Sequence, residues 1–155
     1  MTVNSTQKPP IWFWIVAIIG LIWNGMGVNA YLQQAYNTES FRNMYTQEQL
    51  EIAANTPSWV TAAFAIAVFA GFLGFVFILL RKKIGYSLLL LSLLAVIVQM
   101  SYILMNGYAS DIGMTVMIIA FAILFVILGR LFKTKGWISG SVASAKIKHH
   151  FIKGK

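Results

Sequence analysis

Cysteine is absent from the chain, which excludes disulfides, thiol chemistry and thiolate metal sites. Acid is almost absent too. Asp and Glu number 4 against 12 Lys and Arg, and charged residues make up only 10% of the sequence, where a soluble domain averages about 25%. The 2 histidines are neighbours, His149 and His150. Adjacent positions on a helix point to different faces, so they do not form a metal site by themselves. With 155 residues, 59% of them hydrophobic, the chain lacks the polar surface of a soluble enzyme and the composition of a disordered protein.

What the chain has instead is four long apolar runs, 11–32, 59–80, 84–105 and 112–132, with no charge in any of them before Arg130. At a rise of about 1.5 Å per residue each covers roughly 30 Å, the thickness of a bilayer's hydrocarbon core. Strict alternation, the mark of barrel strands, fails at Leu88, Leu89, Leu90 and Leu91. The fold class is therefore all-α, an integral membrane bundle of four transmembrane helices in residues 1–132, followed by a basic tail, 133–155.

Basic residues set the orientation. Lys8 precedes the first run, Arg81, Lys82 and Lys83 join the second to the third, and Arg130, Lys133 and Lys135 close the fourth, while Arg42 and all four acids fall in the other connections. Both termini are expected in the cytoplasm. The short links 81–83 and 106–111 make the second, third and fourth helices successive antiparallel neighbours, giving an up-down bundle. A cleavable signal peptide with Val28, Asn29 and Ala30 as its cleavage site is the competing reading of the first run, which is longer than the apolar core of such a peptide.

Tryptophan and tyrosine mark both interfaces. Trp12, Trp14 and Trp137 are expected at the inner boundary, and Tyr31, Tyr36, Tyr45, Trp59 and Tyr108 at the outer one. In the outer connection 33–58, Thr46 and Gln49 fit a capping box, which predicts a short surface helix over 47–55 before Pro57. The connection reads either as a packed lid or as a binding loop. On the inner side Arg81, Lys82, Lys83, Lys133, Lys135, Lys146 and Lys148 are expected to meet anionic lipid. Trp137, Ile138, Ile147, Phe151 and Ile152 would dip into that interface, after a flexible link at Gly136 and 139–145. No nucleic-acid motif accompanies these basic residues.

Two polar stripes cross the apolar runs. In the first helix Gly20, Trp23, Asn24, Gly27 and Tyr31 share a face, and in the third Ser92, Ala95, Gln99, Tyr102 and Asn106 recur at helical spacing. An amide near the bilayer midplane needs a partner, because lipid supplies none. Asn24 therefore serves as interhelical glue, a ligand contact or the wall of a watery pocket. The stripes converge toward the outer side, where Asn29, Gln33 and Gln34 also stand. Trp23, Asn24, Tyr31, Gln99, Tyr102 and Asn106 are the candidate ligand-binding residues. Amides beside aromatic rings suit neutral hydroxylated solutes, which both donate and accept hydrogen bonds. In the second helix Ala63, Ala67, Ala70, Gly71 and Gly74 form a close-packing face, within the bundle or between protomers.

Proton-coupled transport and quinone or metal chemistry generally need ionisable groups inside the membrane, and the cores of these four runs hold no acid, base or histidine. Neither catalytic residues nor a metal or other cofactor is expected, and Asp111 reads as a helix N-cap. The four-helix small multidrug exporters share this layout but depend on a glutamate in their first helix, where Asn24 is the nearest polar residue here.

At Pro9-Pro10-Ile11-Trp12-Phe13-Trp14, at Trp23-Asn24-x-x-Gly27, at Pro57-x-Trp59 and across the Ala/Gly-rich stretch 62–74, the chain resembles a group of small uncharacterised bacterial four-helix integral membrane proteins. Automated labels sometimes call these sugar transporters. The resemblance spans roughly the first 105 residues and leaves the basic tail outside. It implies a bacterial inner-membrane protein that carries or binds a small neutral, sugar-like solute. Members often place an acid shortly after the Asn-x-x-Gly segment; Asn29 stands there, so no role for that acid carries over. An accessory or scaffold subunit of a larger membrane complex is the alternative, and a homo-oligomer is open under either reading.

Overall fold

The structure, a computed structural model, describes residues 7–139. It contains six helices among them: α1 (Ile11–Ala35), α2 (Glu39–Met44), α3 (Gln47–Asn55), α4 (Ser58–Leu79), α5 (Ile84–Met105) and α6 (Ile112–Thr134). Helices α1, α4, α5 and α6 are each long and apolar enough to cross a membrane, and the chain is an all-α, multi-pass membrane protein. They match the four apolar runs, with α1 extended past Leu32 through Gln33 and Gln34. Two of the expected caps are present. Thr46 and Gln49 form a reciprocal capping box at α3, and the Asp111 carboxylate accepts from the Met114 N–H at 3.1 Å. The short helix α2, whose N-terminus is capped by Thr38, has no counterpart in the hydropathy pattern.

Lipid tails are as apolar as leucine, so helices in a membrane are held together by close packing rather than by escape from water. The small residues of α4 provide it. Ala63, Ala67, Ala70, Gly71 and Gly74 are all buried, so this face is used within the chain and is not presented to a second protomer. Its closest backbone approach is a crossing of two glycines: a Cβ added at Gly85 would stand 2.6 Å from the Gly74 carbonyl oxygen and 2.9 Å from the Ile78 backbone nitrogen. In the buried middle of the pair the Ser92 hydroxyl donates to the Ala67 carbonyl at 2.6 Å.

Backbone contact runs from α1 to α4, from α4 to α5 and from α5 to α6, but α1 and α6 do not pack closely along their backbones. Aromatic side chains bridge that seam. Toward the end holding residues 81–83, Phe13 meets Phe132 with ring centroids 4.7 Å apart, while Phe75 reaches across from α4 to Phe125 of α6 at 4.8 Å. Farther along, Trp23 touches Phe121 at 4.6 Å. The half of the bundle at the basic end is thereby filled, and Phe13, Phe75 and Phe132 are wholly buried.

The segment after α6 departs from the sequence expectation. Trp137 and Ile138 do not dip into the interface; they are buried with Phe13 and Phe132. The cause is a reversal at Gly136, whose φ of 71° carries the chain back over the bundle. Ser139 then pairs with the 81–83 link: Lys83 N–H donates to the Ser139 carbonyl and Ser139 N–H to the Arg81 carbonyl, both at 2.8 Å. Gly136 and Ser139 are thus set in defined structure; residues 140–145 of the expected flexible link, with Lys146 and Lys148, Ile147, the His149–His150 pair, Phe151 and Ile152, lie outside the described residues.

Arg81 holds this arrangement. Its Nε donates to the Trp137 carbonyl and its guanidinium NH2 to the Gln7 carbonyl, each at 2.9 Å, while its own backbone sits at φ 58°. That left-handed conformation costs a non-glycine residue roughly 1–2 kcal/mol, and the surrounding hydrogen bonds offset it. We expect Arg81→Ala to retain the backbone strain and lose the two charged bonds. The expected cost is about 2 kcal/mol, read as amide hydrogen exchange at Ser139 and Lys83 faster by tens of fold. Unchanged exchange at both amides would show that the guanidinium contributes nothing.

Candidate functional site

At the end of the bundle that carries α2 and α3, two cavities lie one above the other. The upper one, about 230 Å³, is a vestibule roofed by α3 and walled by Gln34, Tyr45, Gln49, Thr56, Thr61, Gln99, Tyr102 and Tyr108 among others. The lower one, about 380 Å³, reaches down between α1, α4, α5 and α6 and is mostly apolar, with Trp23, Asn24, Ser92 and Gln99 in its lining. Tyr45, Phe64 and Gln99 line both, so these side chains stand at the boundary between the chambers. No Asp, Glu, Lys, Arg or His lines either one.

The local sequence explains this placement. The capping box fixes where α3 starts and therefore which face it turns down: Gln49 and, one turn on, Ile52 and Ala53 line the roof, while Glu48 and Glu51 stay exposed to solvent. The stripe on α5 then delivers Ser92, Gln99 and Tyr102 at successive depths below it. Trp59 of α4 packs edge-on against Tyr102, with centroids 5.5 Å apart.

Asn24 is not interhelical glue by hydrogen bonding. Its amide nitrogen donates at 2.8 Å to the carbonyl of Gly20, four residues earlier in its own helix. Its carbonyl oxygen occupies the space where a Gly71 side chain would stand, and the Ser92 hydroxyl lies 3.1 Å from the same point. Gly71 thus admits the amide to the helix interface. The Asn24 oxygen and the Ser92 hydroxyl, already donating to Ala67, are left as acceptors at the wall of the lower chamber. Gln99, half-buried between the chambers, takes no hydrogen-bond partner for its amide among the described residues, and so can both donate and accept.

Of the six candidate residues, the structure brings Trp23, Asn24 and Gln99 together in the lower chamber and Gln99 with Tyr102 in the vestibule. Tyr31 and Asn106 stand apart. The Tyr31 ring packs edge-on against Phe64 and Phe69 of α4, at 5.5 and 5.8 Å, because the upper part of α1 turns toward α4 rather than toward the bundle axis. Asn106 follows the last residue of α5, where unpaired carbonyls collect, and its amide folds back onto the Tyr102 carbonyl at 2.8 Å. Tyr45 and Tyr108, read from the sequence as interface anchors, line the vestibule. Met26, Met100 and Met114 line the lower chamber, and no sequence signal separates them from ordinary apolar positions.

At the opposite end, Lys83, Lys133 and Lys135 are exposed and Lys82 is half-buried. The Lys133 ammonium lies 5.2 Å from the Tyr86 ring centroid. Arg81 spends its guanidinium on backbone carbonyls, as described above. Among the described residues there is no cluster of His, Asp or Glu able to hold a metal ion. No family model, curated protein or solved structure matches this chain.

Proposed function

We propose that this protein binds a small neutral, hydroxylated solute of sugar-like chemistry from the outer side of a bacterial inner membrane, as a non-enzymatic transport or binding protein. One observation carries the reading: two adjoining chambers, the upper one rich in amides, phenols and hydroxyls and neither lined by a charged side chain, lie at the end that holds the long connection. A charged solute would enter without a counter-charge, which is unfavourable at membrane depth. A neutral polyol would pair with Gln34, Gln49 and Gln99, whose amides donate and accept. The aromatic packing of Phe13, Phe75, Phe125 and Phe132 fills the other half of the bundle, so the site is closed toward the basic end. The basic end is read as the cytoplasmic one, with Lys83, Lys133 and Lys135 against anionic lipid.

Native mass spectrometry of gently extracted protein tests this by weighing any retained molecule together with the assembly. A retained neutral, hydroxylated compound is expected. Asn24→Leu together with Gln99→Leu removes both amides, and should weaken its binding at least tenfold. Retention unchanged in the folded double variant would sink the reading. A fixed complex with a larger membrane protein and no retained solute would favour the role of accessory subunit.

A further inference from the structure

The lower chamber differs from the vestibule in having a side opening. Its inner wall is buried, with Ala67, Leu89 and Met100 exposed by 4%, 3% and 6%, whereas Met26 on α1 and Met114 on α6 line the same chamber and are exposed by 63% and 47%. These two residues flank the seam where α1 and α6 lack close backbone contact. Both helices are of membrane-spanning length and hydropathy, so an opening between them faces the hydrocarbon of the leaflet and not water.

The chamber is also long. Its lining runs from Met114 to Phe125 along α6, about 16 Å at a helical rise of about 1.5 Å per residue. Over that length the lining is mostly apolar, the surface a hydrocarbon chain requires. Methionines at wall and mouth suit such an occupant, because unbranched thioether side chains adapt to a flexible chain.

We propose that the ligand is an amphiphile with an uncharged, hydroxylated headgroup, which enters sideways from the leaflet through the α1–α6 seam. Its hydrocarbon lies along the apolar wall of the lower chamber, and its headgroup reaches from Asn24 and Gln99 into the vestibule. This inference rests on the vestibule binding a neutral hydroxylated group and adds the apolar half of the ligand and its route.

The test uses the full chain in lipid vesicles with two probes: an alkyl glucoside bearing a diazirine in its chain, and radiolabelled methyl glucoside, which has the head alone. After illumination, adducts are expected on peptides containing Met26, Met100 and Met114, removed by excess unlabelled alkyl glucoside. Ala122→Leu narrows the chamber, and Met114→Trp, at an exposed position that tolerates substitution, blocks its mouth. Each should cut that labelling at least fivefold and weaken methyl glucoside binding by a smaller factor. If methyl glucoside binds but the diazirine marks only lipid-facing residues such as Ile15 and Ile19, or labelling ignores both variants, the side-entry proposal is overturned and the vestibule reading stands. If neither probe binds specifically, both fall.

Discussion

Gly85→Val is expected to destabilise the bundle by about 3 kcal/mol or more, the upper end of the overpacking range, seen as a fall in the melting temperature of the detergent-solubilised protein. The size follows from what the new side chain meets. At most positions an added methyl displaces the flexible end of another side chain, but at Gly85 the nearest atoms include the Gly74 carbonyl oxygen at 2.6 Å and the Ile78 nitrogen at 2.9 Å. Backbone of a helix yields only by moving the whole helix, so α4 and α5 must separate along the face that holds them. Gly85 lies in the first turn of α5, and replacing a helical glycine by a residue with a side chain otherwise tends to stabilise the helix, so a net loss has the opposite sign to the propensity effect. Gly25→Ala provides the internal control: its nearest neighbour is the Phe72 ring at 3.6 Å, ordinary contact, and it should be neutral or slightly stabilising. Equal losses from the two variants would show that the glycine crossing has no special weight.

Phe132→Ala is expected to cost about 3 kcal/mol, the lower end of the range for removing a buried aromatic ring. In water the penalty combines lost transfer from solvent with the cavity left behind. Here the separated helices would return the ring to lipid, so the transfer part largely disappears and the cavity dominates. That cavity would be large, since Phe132 is fully buried and touches the rings of Phe13, Trp12 and Trp137 at centroid distances of 4.7, 5.7 and 5.9 Å. Phe132→Leu should recover more than half of the loss. The accompanying readout is tryptophan emission, because Trp12 and Trp137 lose a shared neighbour. A melting temperature within a degree of the unsubstituted protein would contradict the packing argument.

The four spanning helices were legible in the sequence because each is an uninterrupted apolar run, and α3 because its cap is a local four-residue pattern. The closure by Trp137 and Ser139 was not. It depends on hydrogen bonds to Arg81 from residues more than fifty positions away, and a tryptophan beside basic residues has the same local signature whether it lies at an interface or in a core. At the candidate site, Trp23, Asn24, Gln99 and Tyr102 line the chambers, in keeping with the faces that their positions on regular helices give them. Tyr31 and Asn106 line neither, for reasons that spacing does not contain: the rings of α4 against which Tyr31 packs, and how an amide behaves at a helix end. The division of the site into two chambers was invisible for a similar reason, because it depends on which methionines and rings the tertiary packing brings opposite one another.

The open boundary between α1 and α6 also bears on the order in which the molecule assembles. Helices α4 and α5 are joined by a link of a few residues and share the most extensive interface, so their hairpin forms from contacts near in sequence, the kind that form fastest. Helix α1 is made earlier but must wait for α4 before it has a surface to rest on, and the boundary with α6 has to wait for the last-made spanning helix. The strand-like pairing of Ser139 with residues 81–83 then anchors the end of α6 to the hairpin made first. Assembly therefore finishes at the seam, which joins the ends of the chain through side chains alone, and the last boundary to close on folding is also the one that can part with the least loss of structure.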